Sequence, residues 1–328
     1  MAIEAEKLAN LSPVIVVGMH RSGTSLVSRF LGTMNVFMGS TLSSNYESLD
    51  FQTLNKNTME VLGCSWADVR MFPTALMLQD LPRSLVDSFQ STLVKSVLPA
   101  HFLNLTQHEE WGNISAVDWG WKDPRNSVLL PLYLTIFPQA RVVFVVRDSR
   151  DVALSLIRRE EKRFHKTFCY QDIVFFKKLF AYIKLWCDYN QRILETVECF
   201  PGTAIHLIKY EELVREPFDN ISALSAFLGV CLTEKGKGDL SQVDSRRIGK
   251  IDGITRKMGK PVDLSVMRLI REETRSMKQL TAMQSSSLLR DYIDNIQEFN
   301  ELVLSKRRLR YMFARLSWTL ENMFIGSP

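Results

Sequence analysis

The strongest constraint on the fold comes from one segment near the start, where a strand pattern, a glycine-rich loop and a helix pattern follow one another. The β-branched run Val14–Val17 predicts a strand, and the residues from Thr24 onward show the apolar spacing of a helix. The loop GMHRSG lies between them at 18–23. Because its backbone N–H groups and the helix N-terminus face one point, the segment predicts an anion cradle. The alternative is an ordinary strand-to-helix turn that needs glycine.

The rest of the chain repeats this alternation of strand and helix patterns. Further strands are predicted at 119–121, 141–146 and 203–208, and the apolar run at 141–146 indicates a strand that is buried on both faces. This alternation predicts an α/β fold, with a P-loop-type parallel sheet flanked by helices and a helical C-terminal extension. In the absence of repeats and linkers, we expect one domain over 1–328, with its α/β core at 13–217 and a mainly helical part at 218–328.

Composition narrows the class of ligand. The 41 Lys and Arg against 36 Asp and Glu give a formal charge of +5, which indicates no nucleic acid partner but suits a small polyanion. The cysteines show no paired spacing and no histidine cluster, so we expect reduced thiols, no metal site and a cytoplasmic location. No signal peptide or transmembrane segment is predicted. The cysteines are Cys64, Cys169, Cys187, Cys199 and Cys231.

The charge inside the loop distinguishes it from that of a nucleoside triphosphatase. The glycine spacing is that of G-x-x-x-x-G-K-[ST], but Thr24 stands where the lysine would be, and Arg21 supplies the cation from within the loop. A transferred phosphoryl group needs dense positive charge and Mg²⁺, whereas a sulfuryl group carries less charge and can be handled without a metal. The loop therefore favours a 5′-phosphosulfate.

A second anion-binding element follows the most apolar strand. Arg147 stands at the carboxyl end of that strand, where ligands bind in open α/β sheets, and Ser155 lies about two helical turns along the next helix. A guanidinium and a hydroxyl that converge on one point would bind an anion. The alternative for Arg147 is an ion pair with Asp148 or Asp151.

Three segments together carry a family resemblance. VVGMHRSGTSLVSRFL, WGWKDPRNSVLLPLYLTIFPQARVVFVVRDSRDVALSL and IKYEELVREP resemble the sulfotransferases that use 3′-phosphoadenosine 5′-phosphosulfate (PAPS), particularly bacterial members and the tyrosylprotein-type enzymes that share a KDP turn. The resemblance covers residues 13 to about 217 in the same order and implies transfer of a sulfuryl group from PAPS to an acceptor.

The resemblance implies a role for each matching residue. Arg147 and Ser155 would hold the 3′-phosphate. Lys122, the first residue of the KDP turn at 122–124, would stabilise charge on the bridging oxygen and the transferred group. Tyr210 matches a tyrosine of the family, for which a packing role is an equal alternative. The residues that would hold the 5′-phosphosulfate are Arg21, Ser22, Gly23, Thr24 and Ser25. The candidates for a late loop over the adenine are Arg246, Arg247, Gly249, Lys250 and Gly253.

The catalytic base is predicted among the carboxylates that follow the phosphate-loop helix. Asp50 falls where related bacterial sequences carry a glutamate, and Glu47 is the second candidate, the alternative being that both are solvated loop carboxylates. His20 and His165 are outside candidates. No histidine follows Lys122, because Asp123 stands there.

Two other functions remain open at this stage. A degenerate P-loop kinase or NTPase would turn over a nucleotide with Mg²⁺, and a non-catalytic protein would bind PAPS-like ligands or sulfated glycans without transfer. The acceptor is a hydroxyl or amine of a glycan, lipid, peptide or small molecule, with a carbohydrate or other hydroxyl compound favoured. Tryptophans at 66, 111, 119 and 121 could stack on it or pack in the core. The basic pattern at 302–324 predicts a helix for packing, dimerisation or peripheral membrane contact.

Overall fold

A computed structural model describes residues 2–69, 83–103, 118–164 and 173–234, together with residues 236 and 238. The chain divides into Met1–Met258 and Gly259–Pro328, and every described residue belongs to the first unit. The predicted single domain therefore stays a prediction, as does the helical part beyond the described residues.

The elements alternate along the described chain as the sequence predicts. The strands are β1 (Val14–Val17), β2 (Gly120–Lys122), β3 (Arg141–Val146) and β4 (Ala204–Lys209). The helices of the first half are α1 (Ala2–Ala9), α2 (Thr24–Thr33), α3 (Leu49–Val61), α4 (Arg83–Thr92), a π-helical turn (Leu93–Val97) and α5 (Leu98–His101). Those of the second half are α6 (Asn126–Ile136), α7 (Ser149–Phe164), α8 (Ile173–Cys199), α9 (Tyr210–Arg215) and α10 (Pro217–Leu228).

The strands form one parallel sheet in the order β2-β1-β3-β4, which confirms the predicted α/β fold. Val14 lies opposite Gly120 on one side and Arg141 on the other, so β1 is an interior strand. A Cβ at Gly120 would come within 2.1 Å of the Val14 carbonyl oxygen. Glycine is therefore required where β2 meets β1.

Helices cover the two faces of the sheet. Val14 and Val16 of β1 belong to the same buried cluster as Val27 and Phe30 of α2 and Leu224 of α10. Because successive side chains of a strand point to opposite faces, the alternate residues of β1 face the other layer. All four residues of β1 are buried.

Aromatic side chains fill the space between α3, β2 and α6. Trp121 stacks on Phe51 with ring centroids 4.0 Å apart, and its ring also contacts Trp119 and Tyr133. Trp119 and Trp121 are both buried, which assigns them to the core. The structure thus favours core packing over acceptor stacking for these two tryptophans.

In the described part of the chain, no helix combines the length and apolarity needed to cross a bilayer.

Candidate active site

The candidate site lies at the carboxyl edge of the sheet. The glycine-rich loop leaves β1 there, Lys122 is the last residue of β2, and Arg147 directly follows β3. Because the strands are parallel, these three positions meet at one edge, where open α/β sheets bind their ligands. The topology therefore brings together groups that the sequence separates widely.

Two glycines of the loop are required by contacts with distant residues. Gly18 has a φ of +142°, and a Cβ there would lie 2.3 Å from the Val145 carbonyl oxygen. Gly23 has a φ of +99°, and a Cβ there would lie 2.2 Å from the Tyr210 ring. Both positions need the left-handed freedom of glycine as well as the absence of a side chain.

The loop keeps polar groups available at its inner surface. Arg21 has a φ of +73°, a backbone conformation that is uncommon for residues with a side chain and recurs at functional sites. The Ser22 hydroxyl is buried, and among the described residues it has no hydrogen-bond partner. Since a buried hydroxyl without a partner costs free energy, this orphan group fits a loop that accepts an anionic ligand.

Arg147 and Ser155 converge on the loop through Arg21. The Arg21 Nε donates to the Ser155 Oγ at 2.9 Å, and the Arg147 Nη1 donates to the Arg21 carbonyl at 3.3 Å. The alternative predicted for Arg147 is also present, because its Nη2 lies 3.3 Å from the Asp151 carboxylate. The ion pair therefore orients a guanidinium that also borders the loop.

Tyr210 joins the two anion-binding elements by packing. Its ring lies against Gly23, and the Arg147 guanidinium sits over the ring with Cζ 4.5 Å from the centroid. Cation–π contacts of this kind stabilise an arginine by about 0.5–2 kcal/mol. These contacts favour a packing role for Tyr210, which is the alternative that the sequence left open.

Lys122 lies between the loop and a carboxylate. Its Nζ is 3.2 Å from the Ser25 Oγ and 3.2 Å from the Glu47 Oε1, and its side chain is 1% exposed. Burial lowers the pKa of Lys122, while the charge of Glu47 and its hydrogen bond raise it. The other carboxylate oxygen of Glu47 accepts a hydrogen bond from Gln52. A buried, doubly held Glu47 is unlike a solvated loop carboxylate.

Asp50 lies on a different side of α3. Residues two positions apart on a helix point about 200° away from each other, so Asp50 faces away from Gln52, which holds Glu47. Asp50 lines a cavity of about 390 Å³ between α3 and α4, together with residues such as Leu54 and Phe89. Burial raises the pKa of the Asp50 carboxyl. Of the two predicted carboxylates, the structure brings Glu47 to Lys122.

Positive charge converges around the loop. His20 is buried, its ring packs edge-on against Trp66 at 5.2 Å, and burial lowers its pKa well below the usual range. Nearby cations lower this pKa further; they are Arg125, Arg159, Lys122 and Arg21. The imidazole is therefore neutral, and the loop lies in a positive field that suits a polyanion.

Arg159 is a further candidate for the site that the sequence did not single out. It lies one helical turn beyond Ser155 on α7, and its guanidinium sits 4.4 Å above the Trp66 ring. Within the described residues it makes no ion pair. The signal in the sequence was its spacing of four from Ser155, which places both side chains on one face of the helix.

Several predicted residues lie outside the described part of the chain. These are Trp111, His165, Cys169, the basic pattern at 302–324 and the late-loop candidates Arg246, Arg247, Gly249, Lys250 and Gly253. Among the described cysteines, none of which forms a disulfide, Cys64 and Cys187 are buried and Cys199 and Cys231 are exposed.

The chain matches the model of one protein family and is similar to several solved structures. No curated protein sequence matches the chain. Among solved structures, the sulfotransferase domain of the Synechococcus PCC 7002 olefin synthase is 19% identical, over 69% of this chain and 77% of that one, with a TM-score of 0.42. The sulfotransferase domain from the curacin biosynthetic pathway is 17% identical, over 69% and 76%, with a TM-score of 0.41. A sulfotransferase from Mycobacterium avium is 15% identical, over 73% and 69%, with a TM-score of 0.39.

The family assignment depends on the sequence itself. The model of the sulfotransferase family matches residues 13–234, a range that contains the loop, the KDP turn and the element that follows β3. These are the segments on which the predicted resemblance depends. The chain belongs to the sulfotransferase family.

Proposed function

We propose that this protein transfers a sulfuryl group from PAPS to a hydroxyl or amine of an acceptor, with Glu47 as the general base. The observation that carries the proposal is the buried contact of Lys122 with both Ser25 and Glu47, each at 3.2 Å. It joins a cation, the phosphate loop and a carboxylate in one place. A carboxylate so placed can take the acceptor proton as a general base, and the cation and the loop N–H groups can stabilise the charge that develops on the leaving oxygen.

The donor site fits a nucleotide with phosphates at two positions. The N–H groups of the loop, Arg21 and the orphan hydroxyl of Ser22 would hold the 5′-phosphosulfate. Arg147 and Ser155 would hold the 3′-phosphate, which adds charge-assisted hydrogen bonds that AMP and ATP lack. Thr24 and Ser25 open α2, where the helix dipole also favours an anion.

In the proposed reaction, one group of the site takes the acceptor proton and others stabilise the charge on the leaving oxygen. The acceptor oxygen gives its proton to the Glu47 carboxylate as its bond to sulfur forms. The bond between sulfur and the 5′-phosphate oxygen breaks, and its electron pair stays on that oxygen. Lys122 and Arg21 stabilise the resulting negative charge on that oxygen. The proposed reaction therefore requires no metal ion. The products are a sulfated acceptor and 3′-phosphoadenosine 5′-phosphate (PAP).

The two other functions make different predictions at the same site. A non-catalytic PAPS or sulfated-glycan binder has no need for a carboxylate held against Lys122, so the pair with Glu47 favours catalysis. A degenerate kinase or NTPase would need a lysine where Thr24 stands. Both remain as outcomes of the experiment below.

The acceptor, partners and location remain part of the proposal. We favour a carbohydrate or other hydroxyl compound as acceptor, and we propose no nucleic acid partner because the formal charge of +5 is mild. The cytoplasmic location rests on the cysteine pattern of the sequence. Dimerisation or peripheral contact would involve the basic segment at 302–324.

The test is calorimetric binding of PAP, AMP and ATP to the full chain without Mg²⁺, followed by sulfate release from radiolabelled PAPS. We expect PAP to bind more tightly than AMP and ATP, and sulfate to be released slowly to water. PAP binding without any sulfate release would favour the non-catalytic binder. Preferential, Mg²⁺-dependent turnover of ATP would favour the kinase or NTPase.

A further inference from the structure

A buried network of side-chain hydrogen bonds includes Asp123, the residue that directly follows Lys122. Asn55 of α3 is at its centre: its Nδ2 donates to the Asp123 Oδ2 at 3.1 Å and to the Asn126 Oδ1 at 2.9 Å. Its Oδ1 accepts a hydrogen bond from the Tyr133 hydroxyl at 2.6 Å. All four residues are fully buried. Both amide protons and the carbonyl oxygen of Asn55 are therefore in use.

The network reaches four elements of the site. Asn126 accepts from the Trp121 Nε1 at 3.0 Å and donates to the Val16 carbonyl at 3.1 Å, two residues before the phosphate loop. Asp123 accepts from the Arg125 backbone N–H at 3.0 Å. Asn55 thus ties α3 to the turn after β2, to α6 and, through Asn126, to β1.

These connections matter because Lys122 and Glu47 come from the two elements that Asn55 joins. Lys122 directly precedes Asp123, and Glu47 lies just before α3, where Gln52 of its first turn holds the carboxylate. Lys122 and Glu47 are 75 positions apart in the sequence. Their distance is therefore set by how α3 is seated on the KDP turn.

We propose that Asn55 is a positioning residue, which fixes Lys122 against Glu47 by holding Asp123 of the KDP turn. This inference rests on the proposed function. Asn55 is too deeply buried to touch a substrate, so it acts through its neighbours. A displacement of about 1 Å at a reacting group can cost about 100-fold in rate, which is why such a hydrogen bond matters.

The network also has an electrostatic effect on Lys122. Burial raises the pKa of Asp123, while Arg125 and the hydrogen bond from Asn55 lower it and Glu47 raises it. The charge of Asp123 in turn raises the pKa of Lys122, against burial and the charge of Arg21. Burial raises the pKa of Tyr133 well above its usual value, so that its hydroxyl remains a donor. Loss of the Asn55 amide would therefore disfavour the ionised form of Asp123 and release the carboxylate from its position beside Lys122, which weakens its support for protonated Lys122.

The test compares Asn55→Ala with Asn190→Ala in the full chain. Asn190 is also a fully buried asparagine, but its amide donates within α8 to the Trp186 carbonyl. PAP affinity is measured by calorimetry, and sulfate release from PAPS to water is measured across pH. We expect Asn55→Ala to lower the rate about 10- to 100-fold with PAP affinity unchanged. Its alkaline loss of rate should begin at lower pH than in the native chain, whereas Asn190→Ala should change neither the rate per folded molecule nor its pH profile.

If Asn55→Ala does not fold, a milder variant allows the same test. Tyr133→Phe removes only the hydroxyl that holds the Asn55 carbonyl, and it should shift the rate and the pH profile in the same direction by less. The inference is overturned if the rate per folded molecule falls equally in the Asn55 and Asn190 variants, or if the pH profile stays in place. A fall in PAP affinity that matches the fall in rate also overturns it. A native chain that binds PAP but releases no sulfate would overturn the proposed function itself, and this inference with it.

Discussion

Replacing Arg147 by Gln tests whether the element after β3 recognises a 3′-phosphate. In the structure the guanidinium donates to the Arg21 carbonyl and to Asp151, and its side chain is 10% exposed. Hydrogen bonds between charged groups contribute about 1.5–3 kcal/mol each. The loss of one such bond to the 3′-phosphate should weaken PAP binding about 10- to 150-fold. AMP, which lacks this phosphate, should bind the variant and the native chain alike.

The matched control lies on the same strand. Arg141 is at the other end of β3, about 20 Å away along an extended strand, where it bonds to the Leu228 carbonyl and to Asp118. Arg141→Gln should therefore leave both affinities unchanged. Because Gln at 147 removes the cation beside buried Asp151, the double variant with Asp151→Asn separates lost binding from lost stability.

The assay is calorimetry of PAP and AMP without Mg²⁺, with thermal unfolding to confirm that each variant is folded. A fall in PAP affinity alone, in the Arg147 variant and its Asp151→Asn double, supports the assignment. If PAP and AMP weaken by the same factor, or neither weakens, the 3′-phosphate does not bind at Arg147 and the reasoning fails.

Three further predictions concern the base, the loop and acid stability. Glu47→Gln should lower sulfate release from PAPS about 100-fold or more, whereas the matched Asp50→Asn should leave it near native; the opposite order would assign the base to Asp50. Gly23→Ala should destabilise the fold by about 1–3 kcal/mol, because its Cβ meets the Tyr210 ring and because a φ of +99° disfavours any side chain; in thermal unfolding the same change should cost less in a Tyr210→Ala background, and an equal cost would contradict the ring contact. Burial lowers the pKa of His101 to about 3, so its neutral form stabilises the fold fully above about pH 6.5 and this contribution is lost as pH falls. Between about pH 6.5 and the folded pKa of about 3, each unit of acidification should lower the free energy of unfolding of the native chain by about 1.4 kcal/mol more than that of His101→Gln. Denaturant titrations at several pH values measure this, and equal slopes for the two chains would contradict it.

The sequence predicted β1 and β3 most clearly, because both are short and almost entirely apolar runs bounded by loop residues. The predicted runs at 141–146 and 203–208 correspond to Arg141–Val146 and Ala204–Lys209 in the structure. A strand that is buried on both faces cannot alternate polar and apolar residues, so its pattern is visible in a single sequence. The loop after β1 was visible for a similar reason, since its glycines occupy fixed positions.

The choice between Glu47 and Asp50 could not be made from the sequence. The two carboxylates are three positions apart, and the spacing does not say where the helix begins or which face it turns toward β2. The helix begins at Leu49, which leaves Glu47 before it and directs Asp50 away from Gln52. Burial of Glu47 against Lys122 follows from that boundary.

The sequence by itself determined the elements, the loop and the family, because each depends on residues that are close together in the chain. Only the tertiary structure decided the site: Lys122 with Glu47, Arg147 with the loop carbonyl of Arg21, and Tyr210 against Gly23. These contacts join residues far apart in sequence. They depend on the strand order β2-β1-β3-β4 and on the seating of α3, and both are set by packing across the whole core, which no local pattern encodes.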